Sequence, residues 1–332
     1  MLIENNILSI LNHIISGRCK SLDKNIQDSV SFRAGSDQLL FTIDDFSEED
    51  QFRENRPDAM GWNMVMGATS DILAAGGTPK YIGHSLVVQE NWSEDYITRL
   101  AQGMADAIKT CGMTFIGGDL GRSERWNYTA SVIGEAPDRA LNRLGARPGD
   151  RIYLSGKIGA GNFEAALKLY EEKLKWSGLL NSIKIKFPFR LAHAGVMKDF
   201  ASCAIDTSDG VFNGLNTLSS LNGVGYEVQD LPTIAKATLL AKFLSLPKEL
   251  LFLGECGEYE LLFCVNEALV PAFELESTRK NLVFYPLGRI TEKGNVLHTG
   301  KGIIDLETFD IRARDFVSVK EYLDQLVKRL RV

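Results

Sequence analysis

Cysteine and histidine are scarce in this chain of 332 residues, and neither is spaced to hold a metal ion. The five cysteines form no Cys-x-x-Cys pair and are odd in number, which favours free thiols in a reducing compartment over a disulfide framework. The four histidines lie far apart, with no His-Glu-x-x-His motif and no His/Cys zinc spacing. These patterns argue against a zinc site and a disulfide scaffold.

Long apolar runs and long basic runs are also missing. No stretch approaches the roughly 18 apolar residues that a membrane-spanning helix needs, and residues 1–20 have the spacing of an amphipathic helix rather than of a signal peptide. Lys and Arg number 37 against 43 Asp and Glu, so the formal net charge is −6. A mildly acidic chain without a basic run is a poor nucleic-acid binder. The sequence predicts a soluble, cytoplasmic protein with no nucleic-acid or membrane partner.

The chain is rich in apolar residues, at 45%, and strand-length apolar runs alternate with longer helical patterns. The sequence predicts strands at 39–43, 81–88, 113–118 and 128–136, and helices at 61–75 and 94–112. Turn residues at Pro148-Gly149-Asp150 precede a new strand, after which the alternation resumes. This pattern predicts a mixed α/β chain of two domains, residues 1–148 and 149–332.

Aspartates lie at four places where an apolar run meets glycine, serine or threonine. These residues are Asp44, Asp71, Asp119 and the pair Asp206 and Asp209. One interpretation is local, because aspartate beside glycine or serine is common in turns and at helix N-termini. The other is a shared site, since carboxylates are hard ligands for Mg²⁺, which also binds substrate phosphates. Neighbouring carboxylates repel one another unless cations lie between them.

Three glycine-rich or nucleophile motifs give no alternative site. The segment at 294–302 has five residues between its first two glycines and no Ser/Thr after its lysine, so it is not a P-loop. The segment at 155–169 carries Glu164 at the sixth position of the dinucleotide fingerprint, which favours a helix-capping loop. No Gly-x-Ser-x-Gly elbow is present.

The ordered set of motifs resembles the thiamine-monophosphate kinase family, within the superfamily of aminoimidazole ribonucleotide synthetase and selenophosphate synthetase. The resemblance runs from about residue 25 to 265 and rests on the segments FTIDDF, GWNMVMGATSDILAAGGTPKY, FIGGDLGRS, NRLGARPGDRIYLSGKIG, AIDTSDGVF and GECGEYELLF. It implies a two-domain fold whose N-terminal strands form a dimer barrel and whose C-terminal α/β domain closes the site. It also implies transfer of a phosphoryl group from ATP to thiamine monophosphate with Mg²⁺, in a homodimer.

The resemblance further implies roles for residues that match the family motifs. The implied magnesium ligands are Thr42, Asp44, Asp71, Asp119, Asp206 and Asp209. Asp44 and Asp209 are the residues expected to be essential for catalysis. Gly118, Asp119, Arg143 and Ser208 match ATP contacts, and Gln51 and Glu258 match the substrate end. Phosphoryl transfer depends on positioning and charge neutralisation more than on a nucleophilic side chain, which agrees with an aspartate-rich site.

Several positions depart from the family pattern. Asp28 is followed by Ser29 where the family has a second aspartate, and Leu120 follows Asp119 where threonine is expected. Gln51 replaces a histidine, and Glu258 replaces an aspartate. Two other hypotheses therefore stand beside the kinase: an enzyme of the same superfamily with a different acceptor, and a non-catalytic ATP sensor.

Overall fold

The computed structural model describes residues 14–15, 26–174, 183–309 and 311–330. Within these residues the strands form two sheets, one in each half of the chain, joined by the segment 136–150. This arrangement confirms the predicted mixed α/β class. Most of the predicted N-terminal helix lies outside the described residues.

The first sheet has the strand order β1-β2-β5-β3-β4. Its strands are β1 Val30–Ala34, β2 Asp37–Ser47, β3 Thr78–Gln89, β4 Thr114–Ser123 and β5 Asn127–Glu135. The pairs are antiparallel except for β3 with β4. Along β5 the side chains alternate between buried and half-buried, so one face of this sheet is packed and the other is open.

Two helices, α1 Pro57–Ala74 and α2 Glu94–Thr110, belong to this half of the chain. Helix α1 begins four residues before the predicted start because Pro57 occupies its first turn, where the missing N–H costs nothing. It is buried on nearly all sides, since it packs against α2, against the first sheet, and against strands of the second sheet. Helix α2 is amphipathic, and the Ser93 side chain accepts a hydrogen bond from Tyr96 N at its start.

The second sheet has the strand order β12-β11-β8-β10-β6-β9-β7. Its strands are β6 Arg151–Leu154, β7 Ala201–Asp206, β8 Gly225–Val228, β9 Leu261–Val265, β10 Tyr285–Thr291, β11 Asn295–Thr299 and β12 Gly302–Asp305. The helices of this half are α3 Ala160–Leu169, α4 Leu191–Phe200, α5 Val211–Asn222, α6 Ala235–Phe243, α7 Leu250–Leu253, α8 Val270–Arg279 and α9 Val319–Arg329. Every residue of β9 is buried, as expected of a strand covered on both faces.

Strand β4 is longer than the sequence predicted, and it continues through Gly117, Gly118 and Gly121. Glycine is a weak strand former, so its pairing with β3 rather than local propensity extends the strand. The two sheets lie on either side of residue 148, and the division into two domains there stays a prediction. No helix in the described part of the chain is long and apolar enough to cross a membrane.

Candidate active site

Three carboxylates from distant parts of the chain meet between the two sheets. Asp28 lies just before β1, Asp71 lies near the end of α1, and Asp206 is the last residue of β7. Each offers a carboxylate oxygen, and these oxygens all lie within 4.8 Å of one another. The first and second halves of the chain therefore contribute to one group of acids.

Hydrogen bonds from neighbouring side chains orient these three acids. Arg143 forms an ion pair with Asp28 at 2.5 Å, and its Nε also donates to the same oxygen at 3.0 Å. Thr42 Oγ1 donates to Asp71, and Ser70 Oγ donates to Asp206. Ser208 Oγ donates to the other oxygen of Asp206 at 2.9 Å. One arginine is thus the only charged partner of the three acids among the described residues.

Burial makes this concentration of negative charge unfavourable. Burial and the nearby Asp206 raise the pKa of Asp28 to about 7, although Arg143 opposes the shift. Burial, together with Asp206, Asp28 and Asp209, raises the pKa of Asp44 to about 7. Burial followed by the Asp44 charge raises the pKa of Asp71 well above its usual range. Several neighbouring buried carboxylates are stable in their charged form when cations lie among them.

The stretch Asp206-Thr207-Ser208-Asp209-Gly210 connects this group to a cleft of about 740 Å³. Asp206 points into the acids, while Ser208 and Asp209 line the cleft. Gly210 directly precedes α5 and has φ 82°, a conformation that favours glycine. A Cβ there would come within 2.5 Å of the Gly254 carbonyl oxygen. The end of β7 therefore places one carboxylate in the group and another at the edge of the open space.

Asp119 is not brought to the other aspartates within one chain. Asp44 on β2 pairs with Ala130 on β5, and Ala130 pairs in turn with His84 on β3. Asp119 on β4 pairs with Ser85, the residue next to His84. Neighbouring residues of a strand point to opposite faces, so Asp119 faces away from Asp44. Three strand spacings also separate β2 from β4, which is about 14 Å. The metal-binding role of Asp119 stays a prediction, because within one chain Asp119 does not reach the other aspartates.

Gly118 on β4 lies beside the ring of His84, which is on β3. A Cβ at this position would come within 2.7 Å of His84 Cδ2, so the close approach of the ring requires glycine. The predicted ATP contact of Gly118 has no support from this packing.

The two residues predicted at the substrate end differ in their placement. Gln51 lines the cleft, and its amide donates to the Glu49 carbonyl oxygen at 2.9 Å. Glu258 is buried and accepts hydrogen bonds from Ala160 N at 2.7 Å and from the Asn162 side chain at 3.1 Å. Its carboxylate therefore caps the N-terminus of α3, where the helix favours negative charge. The sequence motif around Glu258 does not predict this structural role.

Of the three acids that meet, Asp28 was not among the predicted metal ligands. It follows a polar segment instead of an apolar run, so the pattern that identified the other aspartates did not include it. A usable signal was present, because Asp28 lies two residues before the first residue of strand β1. Its ion pair with Arg143 depends on a contact across 115 residues, which no local pattern contains.

The comparisons with known proteins agree with this architecture. Residues 27–136 match the family model described as AIR synthase related protein, N-terminal domain. The thiamine-monophosphate kinase of Aquifex aeolicus is 28% identical over 293 residues, covering 86% of this chain and 92% of the relative. The structure of AaThiL complexed with AMPPCP and TMP superposes with a TM-score of 0.75 at 24% identity, covering 90% and 95% of the two chains. The Escherichia coli hydrogenase maturation protein HypE has the same fold at 18% identity, with a TM-score of 0.65 and coverage of 81% and 85%.

The fold is that of the AIR synthase-related class, and residues 27–136 match the N-terminal domain of that class. Within that class, the curated relatives that cover most of the chain are thiamine-monophosphate kinases. Over most of its length, this chain is similar to thiamine-monophosphate kinases in sequence and in fold.

Proposed function

We propose that this protein is an ATP-dependent kinase that converts thiamine monophosphate to thiamine diphosphate. The observation that carries the proposal is the group formed by Asp28, Asp71 and Asp206, which joins both halves of the chain beside the cleft. A dense set of acids next to open space suits a metal-bound triphosphate. The names of the sequence relatives supply the acceptor.

The reaction moves one phosphoryl group between two phosphate oxygens. An oxygen of the acceptor's phosphate forms a bond to the γ-phosphorus of ATP, and the bond from that phosphorus to the β,γ-bridging oxygen breaks. The electron pair of the broken bond stays on ADP. The acceptor oxygen is an anion near neutral pH, so the protein needs no strong base, and its task is positioning and charge neutralisation.

Magnesium fits the residues at the site. The three converging carboxylates supply only hard oxygen atoms, and Thr42 adds a hydroxyl within hydrogen-bond distance of Asp71. The residues that would hold the ion are Asp28, Asp71 and Asp206, with Asp44 and Asp209 close to them. When bound, the ion neutralises phosphate charge and orients the triphosphate. Asp44 and Asp209 are the residues we expect to be essential for turnover.

The protein's own side chains account for the nucleotide end. Ser208 lies between Asp206 and Asp209 and has a hydroxyl at the edge of the cleft, which suits a phosphate contact. Arg143 is half-buried and holds Asp28, so it provides positive charge next to the same phosphates. We assign both residues to ATP binding.

The acceptor end of the cleft combines acids with aromatic rings. Its lining includes Glu49, Asp50, Gln51, Phe52, Glu164, Phe187, Glu255, Tyr259, Arg314 and Phe316. Aromatic faces and carboxylates attract a cationic ring, and the thiazolium ring of thiamine monophosphate is one. Gln51 can hydrogen-bond the acceptor through its amide but carries no positive charge.

The proposal is tested by incubating the purified protein with Mg-ATP and a panel of phosphorylated acceptors, and following products by mass spectrometry. We expect thiamine diphosphate and ADP from thiamine monophosphate, with no product when the acceptor is left out. ADP with a different product would keep the phosphoryl transfer and reject thiamine monophosphate as acceptor. Tight ATP binding without turnover on any acceptor would favour the ATP sensor.

We further propose that the protein is a homodimer that pairs through the open face of the first sheet. Ile43 and Tyr81 lie on this face and are large apolar side chains that are 50% and 46% exposed. Exposed apolar surface on one sheet is typical of an interface. The partner would cover the face to which Asp119 points. The dimer and the cytoplasmic location both stay predictions.

Ile43→Glu is expected to convert the dimer to a monomer. Ile43 is 50% exposed at the centre of β2, so a charge there would be buried without a partner in the paired sheets. Light scattering at micromolar concentration measures the mass. Leu275→Glu is the matched control, because Leu275 on α8 is 72% exposed and outside this sheet. A wild-type monomer, or an Ile43→Glu dimer, would contradict the proposed interface.

A further inference from the structure

The backbone at Tyr259 adopts a conformation that tyrosine rarely takes. Three non-glycine residues of the described chain have positive φ: Ser245, Asn281 and Tyr259. Ser245 and Asn281 lie two residues beyond the last residues of α6 and α8, where left-handed residues commonly end helices. Tyr259, with φ 51°, ends no helix and lies at the cleft instead. Strain of this kind persists where the surroundings hold it, and it is concentrated at functional sites.

The surroundings form a socket for the Tyr259 ring. The ring centroid lies 4.6 Å from that of Phe187 and 6.4 Å from that of Phe46. A Cβ at Gly67 would come within 2.9 Å of Tyr259 Cε1, and one at Gly257 within 2.6 Å of Cε2. Gly67 is in the interior of α1, where glycine costs about 1 kcal/mol relative to alanine, and space for the rings of both Tyr259 and Phe46 explains its presence. Elements from both halves of the chain therefore fix the ring.

The hydroxyl at the end of this ring is available to a ligand. Tyr259 lines the cleft, and none of the described residues forms a hydrogen bond with its hydroxyl. Burial and the charges of Asp50, Asp44, Asp206 and Asp209, in that order, raise the pKa of Tyr259 well above its usual range. The phenol is therefore neutral and keeps its proton. It is a neutral hydrogen-bond donor beside the carboxylates of the site.

We propose that Tyr259 is a catalytic residue whose hydroxyl donates a hydrogen bond to the phosphoryl group during transfer. The proposal rests on the phosphoryl transfer proposed above. Its basis is position, because the socket fixes the ring in the lining of the cleft, within range of the charges of Asp44, Asp206 and Asp209. The tyrosine keeps its proton throughout, so the bonds that form and break are those already described. A donor fixed before the reaction stabilises charge in the transition state without reorganisation.

Tyr259→Phe tests this role because it keeps the ring and removes one oxygen atom. We expect kcat to fall about 100-fold, the loss typical of removing one preorganised donor, while KM for ATP changes less than about twofold. The melting temperature is expected to stay the same, since the socket still holds a ring of equal shape. A merely structural role for the hydroxyl would instead lower the melting temperature and leave kcat unchanged.

Tyr128→Phe is the matched control. Tyr128 is fully buried, its ring centroid lies 6.3 Å from that of Phe46, and its hydroxyl also has no partner among the described residues. It lies on β5 and does not line the cleft. We expect its kcat to equal that of the wild type.

A binding measurement separates this inference from the identity of the acceptor. Calorimetry with Mg-ADP, with and without aluminium fluoride, measures recognition of a planar phosphoryl mimic. We expect Tyr259→Phe to lose at least about tenfold in affinity for the fluoride complex and to bind Mg-ADP as the wild type does. If the wild type makes no thiamine diphosphate, the proposed acceptor is wrong, but the comparison of fluoride-complex affinities still tests the role of Tyr259. Equal fluoride affinity in both proteins, no fluoride effect in the wild type, or a Tyr259→Phe kcat within about twofold of the wild type would each overturn the role of Tyr259.

Discussion

Asp206→Asn is expected to lower kcat at least about 10³-fold while the protein stays folded. Asp206 is the acid that the second half of the chain contributes to the group, and its oxygens lie within 4.8 Å of those of Asp28 and Asp71. Removing its charge weakens metal binding and leaves the phosphates without full neutralisation. In the metal-free protein the same change relieves repulsion, so the melting temperature is expected to stay the same or rise.

The control for this prediction is Asp150→Asn. Asp150 is also buried, and it accepts hydrogen bonds from Arg147 N at 3.1 Å and from Ser202 Oγ at 2.9 Å in the turn between the sheets. Loss of part of this network is expected to lower the melting temperature while turnover per folded molecule stays near that of the wild type. Circular dichroism and steady-state kinetics on both variants decide the question. Near-normal turnover in Asp206→Asn would remove Asp206 from the site.

Removal of divalent cations is expected to abolish measurable ATP binding. The acids raise one another's pKa, and Arg143 is the one cation paired with Asp28, Asp71 and Asp206 in the described residues. The triphosphate would therefore meet net negative charge when the metal is absent. Calorimetry with ATP in magnesium and in EDTA measures the difference, which we expect to exceed about 100-fold in affinity. Equal affinity in both buffers would reject a metal-bridged site.

The same electrostatics predict how stability depends on pH without metal. Asp28 and Asp44 have a pKa of about 7 in the folded protein, above the ordinary value of 3.8 that applies when the chain is unfolded. Between these values the folded state binds more protons, so the free energy of unfolding falls as the pH rises from about 4 to 7. The EDTA-treated protein is expected to melt at a higher temperature near pH 5.5 than near pH 7.5. Magnesium is expected to reduce this difference in melting temperature. Equal melting temperatures at the two pH values in EDTA would contradict the prediction.

Part of the candidate site could be predicted because its signals are local. Asp44, Asp71 and Asp206 each lie where an apolar run meets small polar residues, so the adjoining sequence alone marks them as candidate ligands. The same local reading predicted that Ser208 and Asp209 stand at the end of a strand, and both line the cleft. Residue type then favoured Mg²⁺ over softer metals.

Other placements depend on contacts that no local pattern holds. Glu258 has the same sequence neighbours whether it faces substrate or caps α3, and only the packing of that helix against residues 256–258 decides between them. Tyr259 gains its socket from Gly67, which lies 192 residues earlier in the chain. Hydrophobic periodicity indicates which face of a helix or strand is apolar, but it does not indicate which other helix or strand covers that face.

The sequence by itself determined the mixed α/β class, most of the strands and helices, and the aspartates from which a metal site could be built, because these follow from periodicity and residue chemistry within a few turns. The tertiary structure alone decided which aspartates meet. It includes Asp28, which the pattern omitted, and it places Asp119 on the opposite face of the sheet about 14 Å away. The physical reason is that strand order and the face of the pleat come from pairing between distant segments, and a shift of one residue in that pairing reverses the direction of every side chain.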